Sequence, residues 1–341
     1  MTEITALDLS GAHPPATAGQ SLFRVREISN NVEARPVSIV SETPVRRNPS
    51  PSKIYYFWLM APAVILLLCI SIYPFVWLIV MSLMDVGIAD QHWNNFENYI
   101  RLAKDARYLS GWVLLLKYSA LCMFFQLVIG VFLAIAVNNS RFEKFLITAF
   151  LMPMMIAPVV AGLVWYFLYN GTFGWYHWIF QSVGLLGSKS ILADPATAMW
   201  GIVIVDVWQW TPLITLITLA GLKRVPRDQL EANMVDGASP FRNFVSVTLP
   251  NLYPVLLIAI MLRFMDNFRF IDHILVLTGG GPGDATKILP IYLFEVSFKF
   301  FKLGRGAAIA FTLLVVTIIL GKLLVRIFDQ APASRAHSEE N

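Results

Sequence analysis

The chain is poor in charge and in cysteine. Only 14% of its 341 residues are charged while 57% are hydrophobic, against roughly 25% charged in an average soluble domain. That balance excludes an ordinary soluble fold, whose core needs no such unbroken apolar runs. Two cysteines cannot build a disulfide framework, and Cys69 and Cys122 both sit in apolar stretches, where buried, inert thiols are expected. The net charge of +4 comes from short basic clusters beside apolar runs, which suits orientation in a membrane better than nucleic-acid binding. There is no G-x-x-x-x-G-K-[ST]; "GGGPGDATK" at 279–287 lacks the Gly-Lys-Ser/Thr order, so no ATP-binding P-loop is expected. Neither H-E-x-x-H nor a paired-cysteine motif occurs. The chain is therefore expected to carry no catalytic site, metal or cofactor of its own.

The first 53 residues have no apolar segment of signal-peptide type and are rich in Pro, Ser and Thr, so they read as a largely disordered tail. Residues 329–341 read as a second, short tail. Between them, six stretches are long and apolar enough to cross a hydrocarbon core of about 30 Å. They lie near 55–83, 113–137, 145–169, 196–220, 251–276 and 306–328. The expected fold is an all-α integral membrane protein with six transmembrane helices over 54–328. A cytoplasmic helical loop, 221–250, joins the fourth and fifth.

Six crossings put both ends on one side. Arg46, Arg47 and Lys53 precede the first span, Arg141 and Lys144 join the second and third, and Lys223, Arg224, Arg227 and Arg242 join the fourth and fifth. Lys322 and Arg326 close the last span. The excess of positive charge places these segments, with both termini, in the cytoplasm. Arg101, Lys104 and Arg107, and Lys299, Lys302 and Arg305, fall on the other side. Pro153, Pro158, Pro212 and Pro254 lie within spans, where kinks are tolerated if neighbours satisfy the freed backbone groups.

The loop "GLKRVPRDQLEANMVDGASPFRNFVSVTLP", 221–250, reads as two short helices around a sharp turn. Pro226 can open the first helix, and Asp228 and Glu231 suit its positive end. Gly237 supplies the left-handed residue after a helix, and Ser239 with Pro240 caps and starts the next. Phe241, Phe244, Val245 and Thr248 recur at helical spacing, and Pro250 ends the segment. By propensity alone, such a pair can rest on lipid or dock on a protein.

The order of residues separates these two readings. Glu231, Ala232 and Asn233, then Gly237, then Val247, Leu249 and Pro250 follow the pattern E-A-A, three residues, G, nine residues, I-x-L-P, with Asp236-Gly237-Ala238 inside it. Asn233 replaces the second alanine and Val247 the isoleucine. In this the chain resembles the inner-membrane permease subunits of binding-protein-dependent ABC importers. "TGGGPG" at 278–283, the small cluster Gly304, Gly306 and Ala307, and "VWQW" at 207–210 before Pro212 resemble their carbohydrate-uptake branch. The likeness covers about 54–328.

This resemblance implies a transport subunit rather than an enzyme, working with a second permease, two ATP-binding subunits and an extracytoplasmic solute-binding protein. Glu231, Ala232, Asp236, Gly237, Ala238, Leu249 and Pro250 would form the contact with the ATPase. Ala232 and Ala238 keep that contact slim, and Gly237 allows a turn that a Cβ would strain. The implied cargo is a sugar, oligosaccharide or polyol, with a glycerol-phosphate-type solute as the alternative.

Polar residues inside spans usually face the bundle interior or a water-filled path. Asp206 and Gln209 are three apart in the fourth span, beside Trp208 and Trp210. Arg263, Asp266, Asn267, Arg269, Asp272 and His273 punctuate the fifth. These either form an internal ion-pair ladder, mark a span that ends near 265, or line the solute path. Asp206, Gln209 and Asn267 are the candidate solute-path residues, and His273 reads as an interior histidine rather than a metal ligand. A transporter driven by an ion gradient is the rival class. It would use the intramembrane Asp and Arg residues as a relay but leaves the loop unexplained.

Overall fold

A computed structural model describes residues 53–87, 91–184 and 190–329. The tails expected at 1–53 and 329–341 lie outside these residues, apart from Lys53 and Asp329. The chain divides into two compact units, 1–60 and 61–341; of the first, the described part is the opening of one helix.

Thirteen α-helices occur among the described residues: α1 Lys53–Ser82, α2 Glu97–Ala103, α3 Ala106–Val137, α4 Glu143–Met155, α5 Pro158–Leu168, α6 Trp175–Ser182, α7 Ala198–Leu222, α8 Arg227–Val235, α9 Pro240–Asn243, α10 Leu249–Asn267, α11 Asp272–Leu277, α12 Leu289–Phe294 and α13 Leu303–Asp329. A two-stranded antiparallel hairpin, β1 Met84–Val86 and β2 Gln91–Trp93, follows α1.

Five uninterrupted helical stretches are long and apolar enough to cross a membrane: Tyr56–Ser82, Ala106–Val137, Ala198–Leu222, Pro240–Asn267 and Leu303–Ile327. The third expected span is not continuous. It is α4 followed by α5, bent by 92° at residues 156–157. Pro158 disfavours helical geometry at the residue before it, and Ile156 and Ala157 are both extended, with ψ of 133° and 134°. Counted with this broken pair, the crossings number six.

The fifth span also departs from expectation. It begins at Pro240 and ends at Asn267, rather than running from 251 to 276. Pro250 does not stop the helix, because the turn before it, Phe244–Thr248, is a π-helix whose wider winding absorbs the missing donor. Asn251 Nδ2 donates to Val247 O at 2.8 Å, satisfying a carbonyl in the same stretch.

The core forms where α3 crosses α7. A Cβ on Gly130 would come within 2.8 Å of the Ile214 side chain, so only glycine admits this approach. Tyr118, Cys122, Ile202, Val205, Phe268 and Ile274 complete the centre of the packing. Cys122 is buried as expected, but Cys69 is exposed, because α1 presents its apolar side chains outward along most of residues 61–77.

Candidate functional site: a coupling elbow and a buried polar core

At one end of the bundle, α8 and α9 form an elbow. Ser239 accepts the N–H of Arg242 at 3.3 Å and so caps α9 as expected. Pro226 is the cap residue of α8 rather than its first helical residue. Gly237 has φ of +77°, the Gly237 N–H donates to Met234 O, and the Ala238 N–H donates to Asn233 O at 3.1 Å. These bonds form a Schellman closure, which requires a left-handed residue at Gly237.

Glu231, Ala232, Asp236 and Gly237 are exposed, Ala238 and Pro250 half-buried, and Leu249 lies at the border of exposure. Val235 and Phe241 stand 87% and 77% exposed at the tip, an apolar pair that nothing among the described residues covers. Behind the tip is a hollow of about 330 Å³, whose lining includes Leu222, Val225, Leu230, Met234, Ala238 and Phe244. Lys223, at the end of α7, pairs with Glu143 at the start of α4 and ties the base of the elbow to the broken span.

Deep in the bundle, Asp206, Gln209 and Asn267 are fully buried, so none of the three is exposed on a wall of the chain. Asp206 on α7 pairs with Arg263 on α10 at 2.8 Å, with side-chain exposures of 0% and 2%. Arg263 is fully engaged. Its Nε donates to Gln126 Oε1 at 2.9 Å, and Nη1 to Asp266 Oδ2 at 3.1 Å. Nη2 donates to Asp206 Oδ2 at 2.8 Å and Asn267 Oδ1 at 2.7 Å, and the guanidinium lies 4.9 Å from the Trp210 ring centre. Gln126 Nε2 also donates to Asp206 Oδ2 at 2.8 Å, so α3, α7 and α10 meet at one ion pair. His273 is buried beside it, its Nδ1 4.0 Å from Asp206 Oδ1, beyond hydrogen-bond length, with the Phe270 ring edge-on at 4.8 Å.

Gln209 has a separate task. Its Nε2 donates at 2.7 Å to the carbonyl of Ile156, the residue at the break between α4 and α5. In lipid, a backbone carbonyl freed by a break costs several kcal/mol unless it finds a partner, and Gln209 provides one. The expected ladder on the fifth span exists in part: Asp266 bridges Arg263 and, at 2.8 Å, Arg269. Arg269 is the outward member, 81% exposed, and with Asp266, Leu213, Leu262 and Met265 it lines a hollow of about 440 Å³. Gln126 was not singled out from the sequence, although a lone amide within the apolar run "CMFFQLVIG" was the available signal.

A second polar group closes the opposite end of the bundle. Asp105 caps α3 and accepts from the Arg107 N–H, the Tyr292 hydroxyl and Arg305. Burial raises its pKa, but the Tyr292 and Arg107 hydrogen bonds and the Arg305 charge outweigh that and hold it below the usual carboxylate range. Tyr292 is pushed up to about 12, first by burial and then by the acceptor it faces. Asp284 is likewise lowered, chiefly by its bond to Lys287.

The chain is a helical bundle with a broken span, an elbow at one end and a buried ion pair between α7 and α10, and its fold is that of solved ABC transporter chains. A chain of a bacterial ABC transporter that imports the acidic polysaccharide alginate superposes with a TM-score of 0.71, covering 82% of this chain and 98% of that one at 17% identity. The alginate transporter in complex with an alginate pentasaccharide-bound periplasmic protein gives 0.68, covering 80% and 94% at 19% identity. At these identities the likeness is one of fold.

The chain belongs to the family of binding-protein-dependent transport system inner membrane components, whose model matches residues 126–333. Its curated relatives include the trehalose/maltose transport system permease protein MalF of Thermococcus litoralis, 32% identical over 70% of this chain and 80% of the relative. The trehalose permease SugA of Mycobacterium tuberculosis is 31% identical over 81% and 89%. The sn-glycerol-3-phosphate permease UgpA of Salmonella choleraesuis is 31% identical over 77% and 90%. The chain is thus a multi-pass membrane subunit of a transport system.

Proposed function

We propose that this chain, with a second permease, forms the translocation path for a sugar, oligosaccharide or polyol, and that its elbow docks on a separate ATP-hydrolysing subunit. The observation that carries this is the elbow itself: a turn at Gly237 presenting exposed Glu231, Val235, Asp236 and Phe241 beyond the end of the bundle. An apolar tip rimmed by short polar residues suits a protein cleft. A surface ion pair from Glu231 would add only about 0.2–1 kcal/mol, so shape dominates the contact. Closure of two ATPase subunits on ATP would drag the 226–249 loop and turn the path from inward-facing to outward-facing. Solute would then enter from an extracytoplasmic binding protein. This orientation puts both termini and the elbow in the cytoplasm.

The names of the trehalose/maltose and trehalose relatives support the carbohydrate class. The glycerol-3-phosphate relative, at nearly equal identity, supports the second reading. Exposed Arg269, beside Asp266 in an open hollow, suits either a hydroxyl-rich or a phosphate-bearing solute. In this reading Asp266 and Arg269 touch solute, while Asp206, Gln209 and Asn267 hold the wall behind them.

The test is ATPase stimulation of the reconstituted complex with its binding protein, screened across sugars, polyols and glycerol 3-phosphate. Arg269→Ala should change the stimulating concentration of the active solute. Uptake abolished by a protonophore yet indifferent to ATP depletion would replace this reading with an ion-coupled one.

A further inference from the structure

The elbow contains one polar side chain that its docking role does not require. Asn233 stands on α8, where the loop pattern otherwise has alanine. Unlike its neighbours Glu231, Ala232 and Met234, it is turned inward and half-buried. Its Nδ2 donates to Asn243 Oδ1 at 3.0 Å and to Ser246 Oγ at 2.9 Å, both on the other arm. The donors and acceptors are consistent around the group. The Ser246 hydroxyl donates to Arg242 O at 2.7 Å, which leaves its lone pair for Asn233, and Asn243 Nδ2 returns to Leu230 O on α8 at 3.4 Å. Farther from the tip, Asn251 Nδ2 meets Gln229 Oε1 at 3.3 Å. The Asn233 carbonyl meanwhile accepts the Ala238 N–H that closes the turn.

Resting on the coupling role proposed above, we propose that Asn233 is a positioning residue, the centre of an amide clasp that fixes the angle between the two arms of the elbow. The turn at 236–238 is three residues with one left-handed glycine, and by itself it would let α8 swing. The second arm is continuous with the fifth span, since α9, the π-helical turn and α10 form one helix, Pro240–Asn267, about 42 Å long at 1.5 Å per residue. That helix carries Arg263 at its far end. With the clasp closed, a push on the tip turns this helix; with the clasp open, the push is lost in the turn.

The experiment uses the assembled complex of both permeases and the ATPase subunits, with Cys69→Ala and Met265→Cys as the reporter background, Met265 being 56% exposed on the same long helix. In the parent, MgATP with vanadate should change the rate at which the cysteine at 265 reacts with a maleimide. If it does not, although the ATPase subunits are bound, the coupling reading fails and the clasp with it. In Asn233→Ala, the recovered ATPase subunits and the KM for ATP should stay as in the parent. The vanadate-driven change in labelling should fall at least threefold, and backbone amides of 236–243 should exchange hydrogen about tenfold faster. Ser246→Ala removes one of the two Asn233 bonds from an exposed position and should give part of the same loss even if Asn233→Ala assembles poorly. The double variant should be no worse than Asn233→Ala alone, because the Ser246 contact is already lost there. Full labelling response with unchanged amide exchange in both single variants would overturn the clasp, as would strictly additive losses in the double.

Discussion

The buried Arg263–Asp206 pair yields the most exacting prediction. Replacing Arg263 with Met removes four side-chain hydrogen bonds, to Gln126, Asp266, Asp206 and Asn267. Two of these, to Gln126 and Asp206, run between helices; such bonds contribute about 0.6 kcal/mol each in a bilayer, because the separated helices also find partners, so the two account for roughly 1.2 kcal/mol. The substitution also leaves the fully buried Asp206 carboxylate without its counter-charge, held by the Gln126 amide at 2.8 Å. Breaking a buried pair in this way costs about 3–5 kcal/mol in total. A chain of this size should then lose on the order of 6–20 °C in Tm, at about 2–4 °C per kcal/mol. Cys122 is a built-in probe, since its thiol is buried beside the pair and becomes reactive on unfolding. With Cys69 replaced, a thermal ramp with a thiol-reactive dye in detergent reads the loss directly. Replacing both partners, Asp206→Leu with Arg263→Met, should recover about 2 kcal/mol or more of the single-variant cost, since no buried charge is then stranded. A loss below about 1 kcal/mol for Arg263→Met, or a double variant equal to the sum of its singles, would refute the reasoning.

Three further outcomes follow from other sites. Gln209→Leu should strand the Ile156 carbonyl at the break and cost about 1–3 kcal/mol, measured by the same thiol ramp, whereas Trp208→Phe should cost less. A Cβ at Gly237 meets no atom within 4 Å, so the penalty of Gly237→Leu begins with the left-handed backbone, about 1–2 kcal/mol confined to the elbow. Membrane insertion should persist while recovery of the ATPase subunit in a pull-down falls. The third concerns pH. Asp105 and Asp284 both have lowered pKa values, so their stabilisation is complete above the unfolded carboxylate value of about 4 and fades as pH falls through the lower folded values. Tm in the parent should be level from pH 8 to 5 with respect to these groups and drop below about pH 4, and Asp105→Asn should flatten part of that drop.

Hydropathy alone located the crossings to within a few residues at most ends, because a helix satisfies its own backbone and an apolar run of sufficient length has few other uses. The turn chemistry of the elbow was equally local: Gly237 has positive φ and Ser239 caps, since both depend on neighbours only a few residues away. The break at 156–157 was half legible. Pro158 marked where the helix would weaken, but whether the span kinks slightly or turns by 92° depends on whether something donates to the exposed carbonyl. That something is Gln209, 53 residues further on.

The same division holds for the polar residues within the spans. The sequence by itself determined that Asp206, Gln209, Arg263 and Asn267 must be engaged, because uncompensated polar groups are too costly in hydrocarbon. It could not determine with what, since helix rotation and pairing are set by packing. The close approach at Gly130 brings α3 against α7 and so delivers Gln126 to Asp206. In the elbow, spacing identified a turn with an exposed tip, but only the fold of one arm onto the other set Asn233 against Asn243 and Ser246. Propensity, hydropathy and turn geometry act over a few neighbouring residues and are written along the chain; the partners of a buried charge or amide are chosen when helices distant in sequence come to lie side by side.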